Sequence, residues 1–194
     1  MKILVAVPTS GIIEPEVFKS IYDLRPAGAE LSFDFVRGYD AAVARNRIST
    51  IAQSGGFDYV LMVDSDTIVP PDTLELMLDT PVDVCLGVCP RKNTSKGETA
   101  MIKKGDRTCR NSWYYDELPE TKTEVSCGGF ACALIKTYVL TYMDYPYFQY
   151  VINQDGSTFS EDFYFCQNAR LMGFEVLMDP RVRCGHLARY YQYK

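Results

Sequence analysis

The segment DYVLMVDSDT, residues 58–67, decides the fold class of this chain of 194 residues. Its apolar run at 59–63 is typical of a β-strand that is buried on both faces in the middle of a parallel sheet. The run ends in two carboxylates, Asp64 and Asp66. Because ligands of open α/β sheets bind just beyond the carboxyl ends of such strands, this pair is placed to share one hard divalent cation. Such a cation suits a diphosphate, so the pattern indicates a metal-assisted nucleotide-sugar site.

Strands and helices alternate on the amino-terminal side of this segment. We predict strands at 2–7 and 31–36 and a helix at 16–24, each from its apolar periodicity. A second helix begins at Asp40, a good capping residue, and ends before Gly55. Strand, helix, strand, helix and strand within about sixty residues predict a parallel sheet with right-handed crossovers.

The remainder of the chain continues this α/β pattern around a long polar stretch. Strands are predicted at 82–88 and 175–178, an apolar segment spans 130–135, and a helix begins after Ser160. Residues 92–123 lack a regular pattern and are predicted to form a long loop, which in a compact domain is usually functional or mobile. The aromatic residues of this loop either form a platform on which a sugar stacks or fill a local core. They are Trp113, Tyr114 and Tyr115.

Composition and charge limit the possible functions. Hydrophobic residues make up 47% of the chain and charged residues 23%, a soluble globular profile without linkers or repeats, so we predict one domain over 1–194. The formal net charge of −5 argues against a nucleic-acid footprint, which would need a basic face. No apolar run approaches the roughly 20 residues that cross a bilayer, and no signal segment is visible. We therefore expect a cytoplasmic protein without a membrane span.

The cysteines and the single histidine narrow the choice of site. The seven cysteines include no C-x-x-C pair, so we expect reduced, buried thiols rather than a zinc or redox site. His186 is the only histidine, and its neutral imidazole is either a metal ligand or a structural group. Arg45 and Asn46 lie early in the second helix, where they face either solvent or a ligand.

Two other pairs of residues could carry chemistry. Glu161 and Asp162 stand at a predicted helix start, where the helix dipole favours ionised carboxylates, so capping explains them without any function. An ionised aspartate that faces a cleft could also take a proton from an attacking hydroxyl. Gly128 and Gly129 precede an apolar segment and either form a tight turn or let the backbone approach a ligand closely.

Taken in order, these segments resemble the GT-A glycosyltransferases, particularly glycosyltransferase family 2 and its mannosyltransferase-like relatives. The resemblance covers nearly the whole chain and depends on the order and spacing of short motifs, none of which is specific alone. These motifs are Ala44-Arg-Asn46, Tyr59-Val-Leu-Met-Val-Asp-Ser-Asp66, Gly128-Gly129, Ser160-Glu-Asp162, Ala169-Arg170, Gly173, Asp179-Pro180 and His186.

The resemblance implies a fold and a division of the chain. The fold is a GT-A, Rossmann-like three-layer α/β sandwich with a mostly parallel central sheet. Residues 1–90 would form the nucleotide-binding half, and 91–194 the acceptor-binding and catalytic half. Donor-binding positions implied by the resemblance are Pro8, Thr9, Arg45, Asn46, Asp64, Ser65, Gly128 and Gly129.

The resemblance also implies an activity. Mn²⁺ or Mg²⁺ would be held by Asp64, Asp66 and His186, and would bind the diphosphate of a UDP- or GDP-sugar. Asp162, with Glu161 beside it, matches the general base that activates the hydroxyl of a sugar, glycan or other acceptor. The expected enzyme is therefore a metal-dependent hexosyltransferase that would invert the anomeric centre by a single displacement, and retention stays open because the sequence does not show which face the acceptor enters.

Three other functions remain open from the sequence. Asp64 and Asp66 after an apolar strand also fit the nucleophile motif of haloacid dehalogenase-type phosphatases, although that motif usually follows the first strand. A sugar nucleotidyltransferase would need a basic, Gly-rich loop after the first strand, which the stretch 8–14 does not provide. A nucleotide- or carbohydrate-binding module without turnover is the non-enzymatic alternative.

Overall fold

The computed structural model of the chain describes residues 1–92, 97–106, 110–154, 156 and 158–187. The helices are α1 (Pro15–Tyr22), α2 (Ala41–Ser54), α3 (Thr73–Leu78), α4 (Thr137–Tyr142) and α5 (Glu161–Leu171), with a 3₁₀ turn at Tyr115–Glu117. The strands are β1 (Lys2–Thr9), β2 (Glu30–Arg37), β3 (Tyr59–Val63), β4 (Thr67–Ile68), β5 (Val84–Val88), β6 (Glu98–Lys103), β7 (Ser112–Tyr114), β8 (Thr123–Cys127), β9 (Cys132–Lys136), β10 (Val151–Ile152), β11 (Thr158–Phe159), β12 (Val176–Arg183) and β13 (Gly185–His186).

Nine of these strands form one sheet in the order β2-β1-β3-β9-β5-β12-β8-β6-β7. The strands β1, β2 and β3 are parallel neighbours, and β12 is parallel to β5. Strand β9 lies antiparallel between β3 and β5, so those two strands run in the same direction. Most strands therefore point one way, and their carboxyl ends share one edge, which confirms the mostly parallel central sheet.

Helices cover both faces of this sheet because alternate residues of each buried strand point to opposite sides. Leu4 and Ala6 of β1 belong to one buried cluster, to which α2, α4 and α5 contribute. Ile3 and Val5 belong to the other cluster, which contains residues of α1 and α3. The chain is thus a three-layer sandwich, as the sequence predicts. The division into nucleotide-binding and acceptor halves stays a prediction.

The start of α2 shows how local sequence shapes the carboxyl edge. Asp40 caps this helix as predicted, because its Oδ1 accepts a hydrogen bond of 2.8 Å from the Val43 amide. Two residues earlier, a Cβ on Gly38 would lie 2.5 Å from the backbone nitrogen of Ala44. Only glycine allows this approach, and it folds the turn after β2 against the first turn of the helix.

The prediction of a long loop over 92–123 is wrong. In their described part these residues form β6, β7, the 3₁₀ turn and the start of β8, while 93–96 and 107–109 lie outside the described residues. The pattern in β6 is masked by its polar residues, yet Thr99, Met101 and Ile102 are buried.

The aromatic residues of this region take part in the core. Trp113 and Tyr115 are half-buried and pack against the cluster on the α2 face. The hydroxyl of Tyr115 lies 3.0 and 3.2 Å from the carbonyl oxygens of Val88 and Cys184, and its one hydrogen is shared between these two acceptors. These two rings are therefore part of the local core, and they do not form a sugar-stacking platform.

Two other expectations concern cysteines and membranes. All of the described cysteines are buried and none of them is in a disulfide bond, as expected of reduced core thiols, and Cys109 lies outside the described residues. Within the described ranges, none of the helices combines the length and the apolar character that a bilayer crossing requires.

Candidate active site

A cleft of about 370 Å³ opens at the carboxyl edge of the sheet, at the ends of β1 and β3 and the starts of α2 and α5. This volume lies within the range of small-ligand sites. Five carboxylates and a single guanidinium are among the side chains that line it. The lining residues are Pro8, Thr9, Ser10, Gly38, Tyr39, Asp40, Ala41, Ala44, Arg45, Asp64, Ser65, Asp66, Glu161 and Asp162.

Beneath the cleft, Arg45 joins three elements in what we term the inner cluster, Arg45, Asp64 and Glu161. The guanidinium of Arg45, only 4% exposed, donates from Nη2 to Asp64 Oδ1 at 2.8 Å and from Nη1 to Glu161 Oε1. Its plane lies near the ring of Phe130, with Cζ 5.7 Å from the centroid. The cluster therefore ties α2 to the end of β3 and the start of α5.

Burial governs the ionisation of the inner cluster. Loss of solvent raises the pKa of Asp64 and Glu161 above their usual values, and the attraction of Arg45 opposes this shift in both. The two carboxylates keep the pKa of Arg45 above its usual value although burial alone would lower it. Because both terminal nitrogens of Arg45 are engaged, its charge is already balanced within the protein.

At the mouth of the cleft, a second group forms the outer cluster, Asp66, Lys92 and His186. The Nζ of Lys92 lies 2.5 Å from Oδ2 of Asp66, and the Nε2 of His186 lies 3.6 Å from Oδ1. Strand β13 brings the histidine here by pairing with β4, with His186 opposite Thr67. The structure thus joins two predicted metal-binding residues that are distant in the sequence.

The pKa of the carboxylate in the outer cluster is shifted in the opposite direction to those in the inner cluster. Hydrogen bonding to His186 lowers the pKa of Asp66 to about 2, and Lys92 acts in the same direction. The carboxylate of Asp66 in turn raises the pKa of His186. Asp66 keeps 29% of its side chain exposed, so this carboxylate is both ionised and accessible.

The donor atoms of Asp66 and His186 fit a divalent ion. A carbonyl oxygen can only accept, so the 2.8 Å contact of His186 Nδ1 with Pro90 O places the proton on Nδ1 and leaves Nε2 toward Asp66. A carboxylate oxygen and an imidazole nitrogen are suitable ligands for Mn²⁺. Within the described residues, no group of three or more His, Cys, Asp or Glu side chains could hold an ion. A ligand would have to complete the coordination.

Asp162 faces the cleft from the first turn of α5. Its Oδ1 accepts hydrogen bonds from the Ser160 hydroxyl and, at 2.8 Å, from the Phe163 amide. Ser160 is at the N-cap position but does not cap the helix through its side chain. Among the described residues, no donor bonds to Oδ2 of Asp162.

The two predicted glycines differ in their surroundings. A Cβ on Gly129 would lie 3.6 Å from Oδ2 of Asp162 and 2.9 Å from the Cβ of Ala100. Gly129 therefore gives the backbone room beside the carboxylate. A Cβ on Gly128 would instead meet Met101 Sδ at 2.5 Å in the core, so packing explains this glycine.

The structure places Asn46 away from the lining of the cleft. Its Nδ2 donates to the carbonyl oxygens of Ala42 and Phe148 at 2.9 and 2.7 Å, and its Oδ1 accepts from the amides of Tyr147 and Phe148. Every hydrogen-bonding group of this amide thus holds the segment after α4 against α2. A nucleotide contact by Asn46 stays a prediction, and this geometry does not favour it.

Sequence reasoning missed several residues around the cleft. Tyr39 is 98% exposed in the turn after β2. Its position just after the end of a predicted strand was the one feature of the sequence that could have indicated a place in the cleft. Lys92 follows the carboxyl end of β5, which lies on the same edge of the sheet as Asp66. The available signal was a basic residue shortly after a strand that runs in the same direction as β3. It was overlooked because Lys92 was assigned to a predicted loop.

Comparisons with known proteins identify the fold. No protein-family model and no curated protein sequence matched the chain. The crystal structure of A197 from STIV superposes with a TM-score of 0.68 at 19% identity, covering 97% of this chain and 87% of A197. GalNAc-T7, determined with UDP, GalNAc and Mn²⁺, gives 0.59 at 12% identity, covering 97% of this chain and 44% of GalNAc-T7.

A mannosyltransferase supports the same assignment. PcManGT from Pyrobaculum calidifontis, in complex with GDP-Man and Mn²⁺, gives a TM-score of 0.54 at 14% identity. The alignment covers 95% of this chain and 56% of PcManGT. The chain has the GT-A fold. It spans roughly half the length of GalNAc-T7 and of PcManGT, so the GT-A fold is what these likenesses establish.

Proposed function

We propose that the chain is a metal-dependent glycosyltransferase that moves a sugar from a nucleoside-diphosphate sugar to an acceptor hydroxyl with inversion. The observation that carries the proposal is a cleft of a GT-A fold that Asp66 and Asp162 both line, with His186 beside Asp66. Two of these residues suit a cation, and the third suits a general base. GalNAc-T7 and PcManGT, which share the fold, were determined with Mn²⁺ and with UDP or GDP-Man.

Charge in the cleft supports the need for a cation. The lining contains the carboxylates of Asp40, Asp64, Asp66, Glu161 and Asp162, and its guanidinium is bonded to two of them. A diphosphate would be repelled unless a further positive charge accompanied it. Asp66 and His186 would hold the ion, whose contribution is to stabilise the charge that grows on the leaving nucleoside diphosphate.

The remaining donor contacts come from the edge of β1 and the turn after β3. Pro8 and Thr9 line the cleft and are proposed to contact the nucleoside. Ser65 stands between the two carboxylates and is proposed to contact the donor. Arg45 is proposed to act from beneath the cleft by fixing Asp64 and Glu161 rather than by binding phosphate itself, since both of its terminal nitrogens are engaged.

Asp162 is proposed to be the general base. The free Oδ2 accepts the proton of the acceptor hydroxyl while the hydroxyl oxygen forms a bond to the anomeric carbon. The bond from that carbon to the diphosphate breaks, and the electron pair leaves with the nucleoside diphosphate. Because a single displacement inverts the anomeric centre, the product has the opposite configuration to the donor.

Neighbours of Asp162 position this base. The Ser160 hydroxyl and the Phe163 amide both bond to Oδ1, which leaves Oδ2 as the oxygen available to a substrate. A base held in one orientation needs no rearrangement at the moment of reaction, which favours proton transfer.

The phosphatase alternative has less support. It requires Asp64 as a free nucleophile, whereas Oδ1 of Asp64 accepts a 2.8 Å hydrogen bond from Arg45. Burial also raises the pKa of Asp64, which disfavours the ionised form that would attack a phosphate. The GT-A fold of the chain favours the transferase.

A ligand screen tests the proposed function. We expect UDP or GDP, or one of their sugars, to raise the melting temperature in the presence of Mn²⁺, by about 5–10 °C at a hundredfold excess over Kd. Asp66→Ala should abolish the Mn²⁺-dependent part of this shift. Asp72→Ala, which removes an exposed carboxylate outside the cleft, is the matched control and should leave the shift unchanged.

Two results of this screen would contradict parts of the proposal. Equal shifts for the wild type and Asp66→Ala would remove Asp66 from the metal site. No shift with any nucleotide or nucleotide sugar, with or without Mn²⁺, would contradict the proposed function. Hydrolysis of an aryl phosphate with Mg²⁺ would instead favour the phosphatase.

A further inference from the structure

Lys92 belongs to no motif that the proposed function uses, yet it touches the carboxylate that function depends on. It follows the carboxyl end of β5, and its Nζ lies 2.5 Å from Oδ2 of Asp66. The backbone before it is fixed, because the amide of Arg91 donates to the carbonyl oxygen of Glu98 at 2.8 Å. The ammonium thus reaches Asp66 from an anchored segment.

The same carboxylate is the best candidate for binding a divalent ion, since its other oxygen faces His186. An ammonium ion and a divalent cation on one carboxylate repel each other, and they also compete for the same lone pairs. Lys92 is 35% exposed, so its side chain can swing away from Asp66 without unfolding the segment. A structural lysine would be expected deeper in the protein, as Arg45 is.

We propose that Lys92 competes with the divalent cation for Asp66, and that the donor's diphosphate relieves this competition by accepting the displaced ammonium. This inference rests on the proposed function of the cleft. Arg45 is the one basic residue among the described residues that line the cleft, and its guanidinium is already shared by Asp64 and Glu161, whereas the ammonium of Lys92 reaches the lining residue Asp66. Metal and nucleotide then bind cooperatively, and Lys92 supplies part of their coupling.

Binding of Mn²⁺ alone, measured by electron paramagnetic resonance of the free ion, tests the first part. Lys92→Met should bind Mn²⁺ roughly threefold to tenfold more tightly than the wild type, because the competing charge is gone. Lys92→Arg keeps a cation near Asp66 and should remain close to the wild type. Lys19→Met is the matched control, since Lys19 Nζ also lies 2.5 Å from a carboxylate, Asp23 Oδ2, but on α1.

Repeating the titration with saturating UDP or GDP tests the second part. The factor by which nucleotide tightens Mn²⁺ binding should be several times smaller in Lys92→Met than in the wild type. Equal or weaker Mn²⁺ binding by Lys92→Met would overturn the proposal, and so would an unchanged coupling factor. Far-ultraviolet circular dichroism of each variant shows that the fold is retained.

The results of these experiments distinguish a failure of the proposed competition by Lys92 from a failure of the proposed glycosyltransferase function. If a nucleotide sugar is turned over but Lys92→Met binds Mn²⁺ no more tightly, Lys92 does not compete and the proposed function stands. If neither protein binds Mn²⁺ or nucleotide, both proposals fail together. Turnover in the presence of a chelator would overturn the competition by Lys92 and the metal dependence, and would leave sugar transfer intact.

Discussion

Asp64 and Asp66 are separated by one residue, yet they belong to two clusters in which the pKa of the carboxylate is shifted in opposite directions. In the inner cluster, Arg45 is buried and its guanidinium is shared by Asp64 and Glu161. In the outer cluster, Asp66 is partly exposed and lies between Lys92 and His186. Burial raises the pKa of Asp64, while its polar partners lower the pKa of Asp66 to about 2. Since 31% of the Asp64 side chain and 29% of the Asp66 side chain are exposed, it is their partners that divide the motif: a buried guanidinium holds Asp64, whereas partly exposed groups contact Asp66.

The division has a physical origin in the strand that carries both residues. Strand β3 is buried up to Val63, so the first carboxylate after it lies within reach of the buried guanidinium of Arg45, although 31% of the Asp64 side chain is exposed. The chain turns after it, and Thr67 begins the short pairing with β13 that brings His186 to Asp66. The second carboxylate therefore has partners that are themselves partly exposed, and an external ion can displace them.

The largest expected effect comes from breaking the inner cluster. Arg45→Met should lower the free energy of unfolding by about 3–5 kcal/mol, because the buried carboxylate of Glu161 and the partly buried carboxylate of Asp64 would lose their cation. Urea unfolding with the m-value monitored measures this loss. Arg47→Met on the exposed side of the same helix should cost about 0.5 kcal/mol or less.

A lysine at position 45 sharpens the test. Arg45→Lys retains the charge but cannot donate to Asp64 and Glu161 with the same fork, so it should recover only part of the loss. A stability for Arg45→Met within about 1 kcal/mol of the wild type would show that the inner cluster does not hold these elements together.

The next largest effect compares two adjacent residues of α5, the proposed general base Asp162 and the structural carboxylate Glu161. Asp162→Asn should lower turnover of the donor found in the ligand screen by about 10²-fold or more, about 2.7 kcal/mol of activation free energy, with donor affinity unchanged. Glu161→Gln should instead lower stability and reduce turnover less than tenfold, since Glu161 is bonded to Arg45. Release of nucleoside diphosphate measures turnover, and calorimetry measures affinity. Loss of donor binding in Asp162→Asn would make Asp162 a binding or structural residue.

Much of the fold follows from local patterns, and the same patterns explain where prediction failed. The apolar run of β3 and the cap at Asp40 are local signals, so strand and helix could both be predicted. The insertion of antiparallel β9 between β3 and β5 could not, because pairing between distant segments leaves no mark in either sequence. The β6 strand was mistaken for a loop because its apolar run, Ala100 to Ile102, is only three residues long and has polar residues on both sides.

The candidate site could likewise be predicted only in part from the sequence. The meeting of Asp66 and His186 followed only from the resemblance to known enzymes, as their spacing in the chain carries no geometric information. The role of Asn46 could not be predicted, because its amide bonds to the backbone of Tyr147 and Phe148, about a hundred residues away. Charge partners likewise depend on the folded chain, so the sequence did not reveal that Asp64 is bonded to Arg45.

The smallest effect compares the two carboxylates directly by the same substitution. Asp64→Asn should cost about 1–2 kcal/mol of unfolding free energy, since a charge-assisted hydrogen bond to buried Arg45 becomes a neutral one while Glu161 still balances the charge. Asp66→Asn should cost about 0.5 kcal/mol or less in a chelator, because Lys92 and His186 are solvated enough to lose their partner cheaply. Urea unfolding of both variants in one buffer decides between the clusters. Equal costs would mean that burial does not divide the motif, and a larger cost for Asp66→Asn would make the outer cluster the structural one.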